Sequence, residues 1–317
     1  MNLVVIGRFP ADTEARIRAF FPPDWEVAIA ESNLAGPYLQ DAEALIPEHL
    51  PINAVLLDRA PKLRMVQTGA GYDNVDLAEC TRRNILVCSA AGVNAAAVAE
   101  HTMALILGWY KNIVYLDSFL KAHRDSRELR YSGGELCGKT VGIIGLGTIG
   151  QRVSALCRAF GMNVLGYSRH PKPVQGVEYV CLEELLARSD VVSLHVPATP
   201  ETRHMIGRQA FQRMKPSAIL VNTARGPVVH EAALVEALDG HQIAGACLDV
   251  YEEEPLSQAS RLRAFPNVIL TPHTAGYPDG VKLHEKRYSF FAANIQRAWR
   301  GQLPGNLLNP DAWKGWR

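Results

Sequence analysis

Six residues in the middle of the chain, GLGTIG at 145 to 150, have the types and spacing to hold an anion. Directly before them the apolar run Thr140 to Ile144 predicts a buried parallel strand. Directly after them Val153, Leu156, Cys157 and Phe160 recur at helical spacing. On such a strand-to-helix turn Gly145 permits the tight bend, Gly147 leaves room for a pyrophosphate and Gly150 lets the helix approach the strand. The helix start, with Thr148 and Ile149, offers free N–H groups to the anion. Dinucleotide binding is the chemistry this predicts; a glycine-rich turn without a ligand is the plain alternative for the bare string. A guanidinium, a carboxylate and an imidazole stand in comparable places further on. Arg225 follows a strand candidate ending at Asn222, Glu254 one ending near Val250, and His273 one ending at Leu270. In a doubly wound sheet ligands bind beyond the carboxyl ends of the strands, where all of these lie.

The elements that must position them fall into two sets. In the first, Leu3 to Ile6, Val27 to Ala30, Ala54 to Leu57, Met65 to Thr68 and Leu86 to Cys88 read as strands, with helical stretches at Glu14 to Phe21 and Leu77 to Arg83. That rhythm predicts a small α/β domain with a parallel sheet. A helix-compatible segment from about Ala96 to Leu120 is long enough to bridge two domains, and the polar, glycine-bearing stretch Asp125 to Gly138 reads as a loop. From Lys139 the rhythm restarts. Strand candidates are Thr140 to Ile144, Asn163 to Tyr167, Val177 to Val180, Val191 to Val196, Ala218 to Asn222, Ala244 to Leu248 and Val268 to Leu270, with helical segments at Leu182 to Arg188 and Glu231 to Leu238. The pattern is that of a doubly wound, Rossmann-type parallel sheet. Val281 to Arg300 is helical again and can return to the first domain. The expected division is therefore a discontinuous first domain, 1–95 with 281–317, and a dinucleotide-binding domain, 96–280.

Bulk properties narrow the class. A chain of 317 residues has apolar content for two cores, and its formal net charge of +1 comes without a basic run, so neither nucleic acid nor an anionic membrane is expected as a partner. The longest apolar stretch, around Met103 to Tyr110, ends at Lys111 and is too short to span a bilayer. Met1 to Gly7 reads as a strand and not as a signal peptide, and Cys80, Cys88, Cys137, Cys157, Cys181 and Cys247 show no CxxC spacing. Buried free thiols in a reducing cytoplasm are expected, with no metal site.

Longer motifs surround the strand-end residues: NTARG at 222 to 226, LDVYEEEP at 248 to 255 and TPHTAG at 271 to 276. With GAGYDNVDL at 69 to 77, AVAEHT at 97 to 102 and LHVPATPETRHMI at 194 to 206, they resemble the D-isomer-specific 2-hydroxyacid dehydrogenase family, in order, from about Ala54 to the end of the chain. Before that point only the strand and helix rhythm fits.

The resemblance implies a fold, a site and a reaction. The fold is a Rossmann-type domain plus a smaller flavodoxin-like α/β substrate domain, with the active site in the cleft between them. The reaction passes a hydride between NAD(P)H and a 2-oxo acid, of glyoxylate or hydroxypyruvate type. His273 would give the C2 oxygen its proton, because histidine titrates near working pH, and Glu254 on its far ring nitrogen would fix the tautomer and favour the imidazolium. Arg225 would hold the substrate carboxylate through a fork of donors that lysine cannot copy. Ala70 and Gly71 would grip the other side of that carboxylate through backbone N–H groups.

On the cofactor side the family places Asp249 near the nicotinamide and His195, Val196 and Pro197 along the adenosine groove; Thr202, Thr223, Ala224 and Gly276 complete the expected lining. NAD-preferring relatives end the second dinucleotide strand with an acid, whereas this chain has Tyr167, Ser168, Arg169 and His170, so NADP(H) is expected over NAD(H). A cytoplasmic homodimer is implied. Two rivals are a cofactor-sensing binding protein of corepressor type and a formate-dehydrogenase-like enzyme. The first lacks a long disordered tail here, and the second replaces the histidine's carboxylate partner with an amide, where this chain has Glu254.

Overall fold

The computed structural model describes residues 1–48, 50–122, 125–129, 133–277 and 285–316. Two compact units result, Met1–Asn94 with Tyr277–Arg317, and Ala95–Gly276.

In the first unit β1 (Asn2–Ile6), β2 (Glu26–Ala30), β3 (Ala44–Ile46), β4 (Met65–Thr68) and β5 (Leu86–Ser89) pair in parallel in the order β2-β1-β3-β4-β5. This is the flavodoxin-like strand order. Successive residues of a strand point to opposite faces, and both faces are covered, which is why the strands read as continuous apolar runs. Leu3, Val5, Met65 and Leu86 pack with Tyr288, Phe291 and Ile295 of the helix Glu285–Trp299. Val4, Ile6, Val66 and Val87 pack with Leu39, Leu57 and Cys80. The end of the chain is pinned here too: the Arg64 guanidinium lies 4.2 Å from the centre of the Trp316 ring and donates to the Trp316 carbonyl at 2.8 Å.

One strand assignment is corrected. Ala54 to Leu57 forms a helix, Ala54–Asp58, because the Asn53 side chain accepts from the Leu56 N–H at 3.1 Å and caps it. The strand is the short Ala44–Ile46 instead. Runs this short carry no periodicity that separates a strand from a buried helix turn.

In the second unit β6 (Thr140–Ile144), β7 (Asn163–Tyr167), β8 (Glu178–Tyr179), β9 (Val191–Leu194), β10 (Ile219–Asn222), β11 (Gly245–Leu248) and β12 (Val268–Leu270) form one parallel sheet, ordered β12-β11-β10-β9-β6-β7-β8. The winding reverses between β6 and β9, which makes the carboxyl ends of those strands the topological switch point. Ile144, Leu194, Leu220 and Leu248 pack on one face with Phe211 and Leu234; Val141, Ile143, Val191 and Val221 pack on the other with Met103, Ile106 and Val153.

The long helix expected from Ala96 to Leu120 is two helices, Ala95–Tyr110 and Ile113–Lys121, both in the second unit. Asn112 between them takes a left-handed φ of 51°, which ends the first helix. The loop read over 125–138 holds one short turn, Ser126–Glu128, and residues 130–132 of it lie outside the described residues. So does the expected boundary at residue 281, ahead of the helix Glu285–Trp299. All the cysteines are free; Cys80, Cys88, Cys157 and Cys247 are buried, whereas Cys137 and Cys181 are exposed. Among the described residues no helix is long and apolar enough to cross a membrane, and no group of His, Cys, Asp or Glu is gathered as metal ligands.

Candidate active site

The glycine turn fits a dinucleotide. Gly145 has φ +96°, and a Cβ there would stand 2.5 Å from the carbonyl oxygen of His195, so only glycine lets β6 pass this close to the end of β9. A Cβ on Gly150 would stand 2.0 Å from the Gly145 carbonyl, where the helix Thr148–Ala159 meets the strand. Gly147 differs: it caps that helix without a side-chain hydrogen bond, and a Cβ on it would meet nothing within 4 Å. Open space over the first-turn N–H groups of Thr148 and Ile149 is what a pyrophosphate needs.

The rest of the groove follows from the neighbouring strand ends. Gly145 N–H donates to the Tyr167 carbonyl at 2.9 Å, which places Ser168 and the exposed Arg169 just past β7. The Glu201 carboxyl is held below its usual range by a hydrogen bond from Thr199, its own backbone N–H and the charge of Arg169. Val196 and Pro197 follow β9 and are partly to fully exposed. The Thr202 hydroxyl is buried and engaged within the loop, on the Pro197 carbonyl at 2.6 Å and the Thr199 N–H at 2.8 Å. His195 sits with Nε2 2.9 Å from the Ser193 hydroxyl, and burial pushes its imidazole down to about 4, so the ring is neutral at working pH.

Arg225, Glu254 and His273 come together at the carboxyl ends of β10, β11 and β12. Asn222, the last residue of β10, accepts from Ala224 N–H at 3.0 Å and donates to the Arg225 carbonyl at 3.0 Å. This local turn orients Arg225, whose Nη1 also donates to the Ala224 carbonyl at 2.8 Å. Thr223 beside it is buried, its hydroxyl 2.9 Å from that of Thr102. Glu254 accepts from Tyr251 N–H at 3.1 Å and from His273 Nδ1 at 2.6 Å. Burial alone would raise the Glu254 carboxyl; the hydrogen bond and charge of His273, the Tyr251 N–H and the charge of Arg225 outweigh it and hold the carboxyl below its ordinary value. An ionised carboxylate only accepts, so Nδ1 carries a hydrogen and Nε2 is the nitrogen left to exchange a proton.

His273 takes a left-handed φ of +54°, unusual for a residue with a side chain. Asp249 holds that turn. Its carbonyl accepts from His273 N–H at 2.8 Å, and its carboxylate accepts from Thr271 Oγ1 at 2.6 Å and from the N–H groups of Thr274 and Ala275 at 2.9 Å each. Only 1% exposed, the Asp249 carboxylate is engaged by the protein itself. Gly276 closes the segment, partly exposed. His101, which the sequence motif included but gave no role, reaches Thr271 Oγ1 with Nε2 at 3.1 Å.

Ala70 and Gly71 belong to the first unit, in the turn after β4, and are partly exposed. A buried polar network stands behind that turn: Asn294 donates to Gln67 at 2.7 Å, and the Thr68 hydroxyl donates to the Gly69 carbonyl at 3.2 Å. Arg287, paired with Glu48 at 2.8 Å, comes within 3.7 Å of where a Gly69 Cβ would be.

A dinucleotide-type sheet with an imidazole, a carboxylate and a guanidinium at neighbouring strand ends defines a nicotinamide-dependent oxidoreductase. Residues 103–275 match the family model described as D-isomer specific 2-hydroxyacid dehydrogenase, NAD binding domain. A glyoxylate reductase of Aeropyrum pernix is 40% identical over 306 residues, 92% of this chain and 88% of that one. One from Thermococcus litoralis is 42% identical over 274 residues, 82% and 81% of the two chains. The NADPH-dependent glyoxylate/hydroxypyruvate reductase of Sinorhizobium meliloti, solved with NADP and malonate, superposes with a TM-score of 0.87 at 28% identity, over 98% of this chain and 97% of that one. The D-lactate dehydrogenase of Aquifex aeolicus, solved with NAD and lactic acid, gives 0.85 at 32% identity, over 97% and 99%. The chain belongs to the D-isomer specific 2-hydroxyacid dehydrogenase family.

Proposed function

We propose that this enzyme reduces a small 2-oxo acid of glyoxylate or hydroxypyruvate type to the D-2-hydroxy acid, with NADPH favoured over NADH. The observation that carries the reading is the 2.6 Å pair of His273 Nδ1 and Glu254 beside Arg225 at the carboxyl edge of a dinucleotide-type sheet. The cofactor, when bound by Gly145, Gly147, Thr148, Ile149 and Gly150 with Val196, Pro197, Thr223, Ala224 and Gly276, supplies the hydride. The protein's residues do the remainder. Arg225 holds the substrate carboxylate by its planar fork, and in the first unit the backbone N–H groups of Ala70 and Gly71 are the proposed substrate-binding donors. His273 delivers a proton from Nε2 to the C2 oxygen as negative charge builds there, and Glu254 stabilises the imidazolium that gives it. Thr202 shapes the loop beside the cofactor, and Asp249 shapes the turn carrying His273.

Ser168 and Arg169 support NADPH. The segment Tyr167 to Lys172 at and after the end of β7 contains no acid to repel a 2′-phosphate, and Arg169 is exposed there, with the Glu201 carboxylate as its competing partner. The relatives support either cofactor, one having been solved with NADP and another with NAD. A homodimer is proposed on the exposed apolar side chains Ile113, Val114, Tyr115 and Leu120, which share one helix. A reducing cytoplasm suits the free thiols.

The test is a steady-state panel of 2-oxo acids with NADPH and NADH, and chiral analysis of the product. Turnover to the D-hydroxy acid is expected; dinucleotide binding without turnover of any 2-oxo acid would favour a sensing role instead.

A further inference from the structure

His101 stands on the helix Ala95–Tyr110, and its neighbour Thr102 is tied to Thr223 beside Arg225. Its Nε2 lies 3.1 Å from Thr271 Oγ1 and 3.6 Å from Asp249 Oδ1. Thr271 has a single hydroxyl hydrogen, and at 2.6 Å it points to the Asp249 carboxylate. Toward His101 the hydroxyl is therefore an acceptor, so Nε2 of His101 carries a hydrogen and donates it. A continuous chain runs from His101 through Thr271 to Asp249, and from Asp249 to the N–H groups of His273, Thr274 and Ala275.

We infer that His101 is a positioning residue for the reaction, holding the turn that presents His273 to the substrate through Thr271 and Asp249. The inference rests on His273 being the proton donor. A residue with a side chain stays at a left-handed φ only where its surroundings over-determine it, and at His273 those surroundings are the Asp249 grip. Thr271 sits on the same carboxylate oxygen as Thr274 N–H. Without the His101 donor the Thr271 hydroxyl is held only by its own bond to Asp249, which loosens the grip on the turn, so the cost falls on the placement of His273 Nε2. Misplacing a reacting group by about 1 Å costs up to about a hundredfold in rate.

The test uses His101→Ala, His101→Gln, Thr271→Val and the double variant His101→Ala/Thr271→Val, assayed with glyoxylate and NADPH, with His273→Ala alongside. His101→Ala should lower kcat about 10- to 100-fold while KM for glyoxylate and for NADPH stays within about threefold. His101→Gln keeps a side-chain N–H donor and should recover most of the loss. The double variant should be no worse than Thr271→Val, because both changes cut one chain. Parent-like kcat in His101→Ala, a loss confined to KM, a glutamine variant no better than alanine, or losses that multiply in the double variant would each overturn the inference. If His101→Ala does not fold, the near-isosteric Thr271→Val carries the test with the same expected fall in kcat and the same overturning outcome. The two readings separate cleanly. An active His273→Ala refutes the proton-donor role, whereas an inactive His273→Ala beside an unimpaired His101→Ala refutes only the role of His101.

Discussion

Replacing Glu254 with glutamine keeps the length of the side chain and an oxygen that can accept from His273 Nδ1, and removes only the charge. The separation of 2.6 Å marks a charge-assisted contact. Hydrogen bonds to charged groups contribute about 1.5–3 kcal/mol, and about half of that survives solvent screening at a partly exposed pair. The side chains of His273 and Glu254 are 39% and 33% exposed, so this discount applies. About 0.75 to 1.5 kcal/mol remains as the contribution the variant loses. Reduction needs the imidazolium before the chemical step, so kcat/KM for the 2-oxo acid falls as pH rises, and in Glu254→Gln, without the carboxylate charge, that limb should lie at lower pH. Oxidation of the hydroxy acid needs the neutral ring and rises with pH; its limb should move the same way. Because the Glu254 carboxyl is held below its ordinary value, the pair in the parent persists below the usual carboxylate range and is lost only as pH falls through that depressed value. The assay is initial rate against pH in both directions for parent and variant. Profiles that superimpose would show that the carboxylate does not tune the histidine.

Arg225→Lys keeps the charge and loses the fork, so kcat/KM for the 2-oxo acid should fall at least about tenfold, with cofactor binding by fluorescence titration unchanged. Arg169→Ala should remove most of a preference for NADPH over NADH of at least about tenfold in kcat/KM, measured with both cofactors at saturating 2-oxo acid. Gly147→Ala adds a methyl where nothing lies within 4 Å, so thermal stability should drop by less than about 1 kcal/mol while cofactor affinity weakens measurably. Gly150→Ala drives a methyl to 2.0 Å from the Gly145 carbonyl and should cost stability by about 1–3 kcal/mol in denaturant melts even without cofactor.

The doubly wound sheet was readable because its strands are buried on both faces and appear as apolar runs separated by helical periods, as at Thr140–Ile144 and Val191–Leu194. Arg225, Glu254 and His273 were readable because they stand just beyond such runs, where the fold collects ligands. Short elements were not. Ala54 to Leu57, read as a strand, is a helix because of one Asn53 cap, and the three-residue strand Ala44–Ile46 is too short to show a period. The break at Asn112 depends on a single left-handed residue inside a pattern that stays helical on both sides. His101 could be quoted within a motif but not given a task, since its partner Thr271 is 170 residues away and meets it only in the folded sheet. The engagement of the Asp249 carboxylate by Thr271, Thr274 and Ala275 was hidden for the same reason.

On the proposed function, His273 donates the proton in reduction of a 2-oxo acid. The most direct measurement is the rate of NADPH oxidation with saturating glyoxylate by the parent and by His273→Ala, with NADPH binding followed separately by fluorescence. Turnover is expected in the parent, with a loss of about a hundredfold to ten-thousandfold in the variant and cofactor affinity retained in both. A His273→Ala enzyme that turns over glyoxylate as fast as the parent would contradict it.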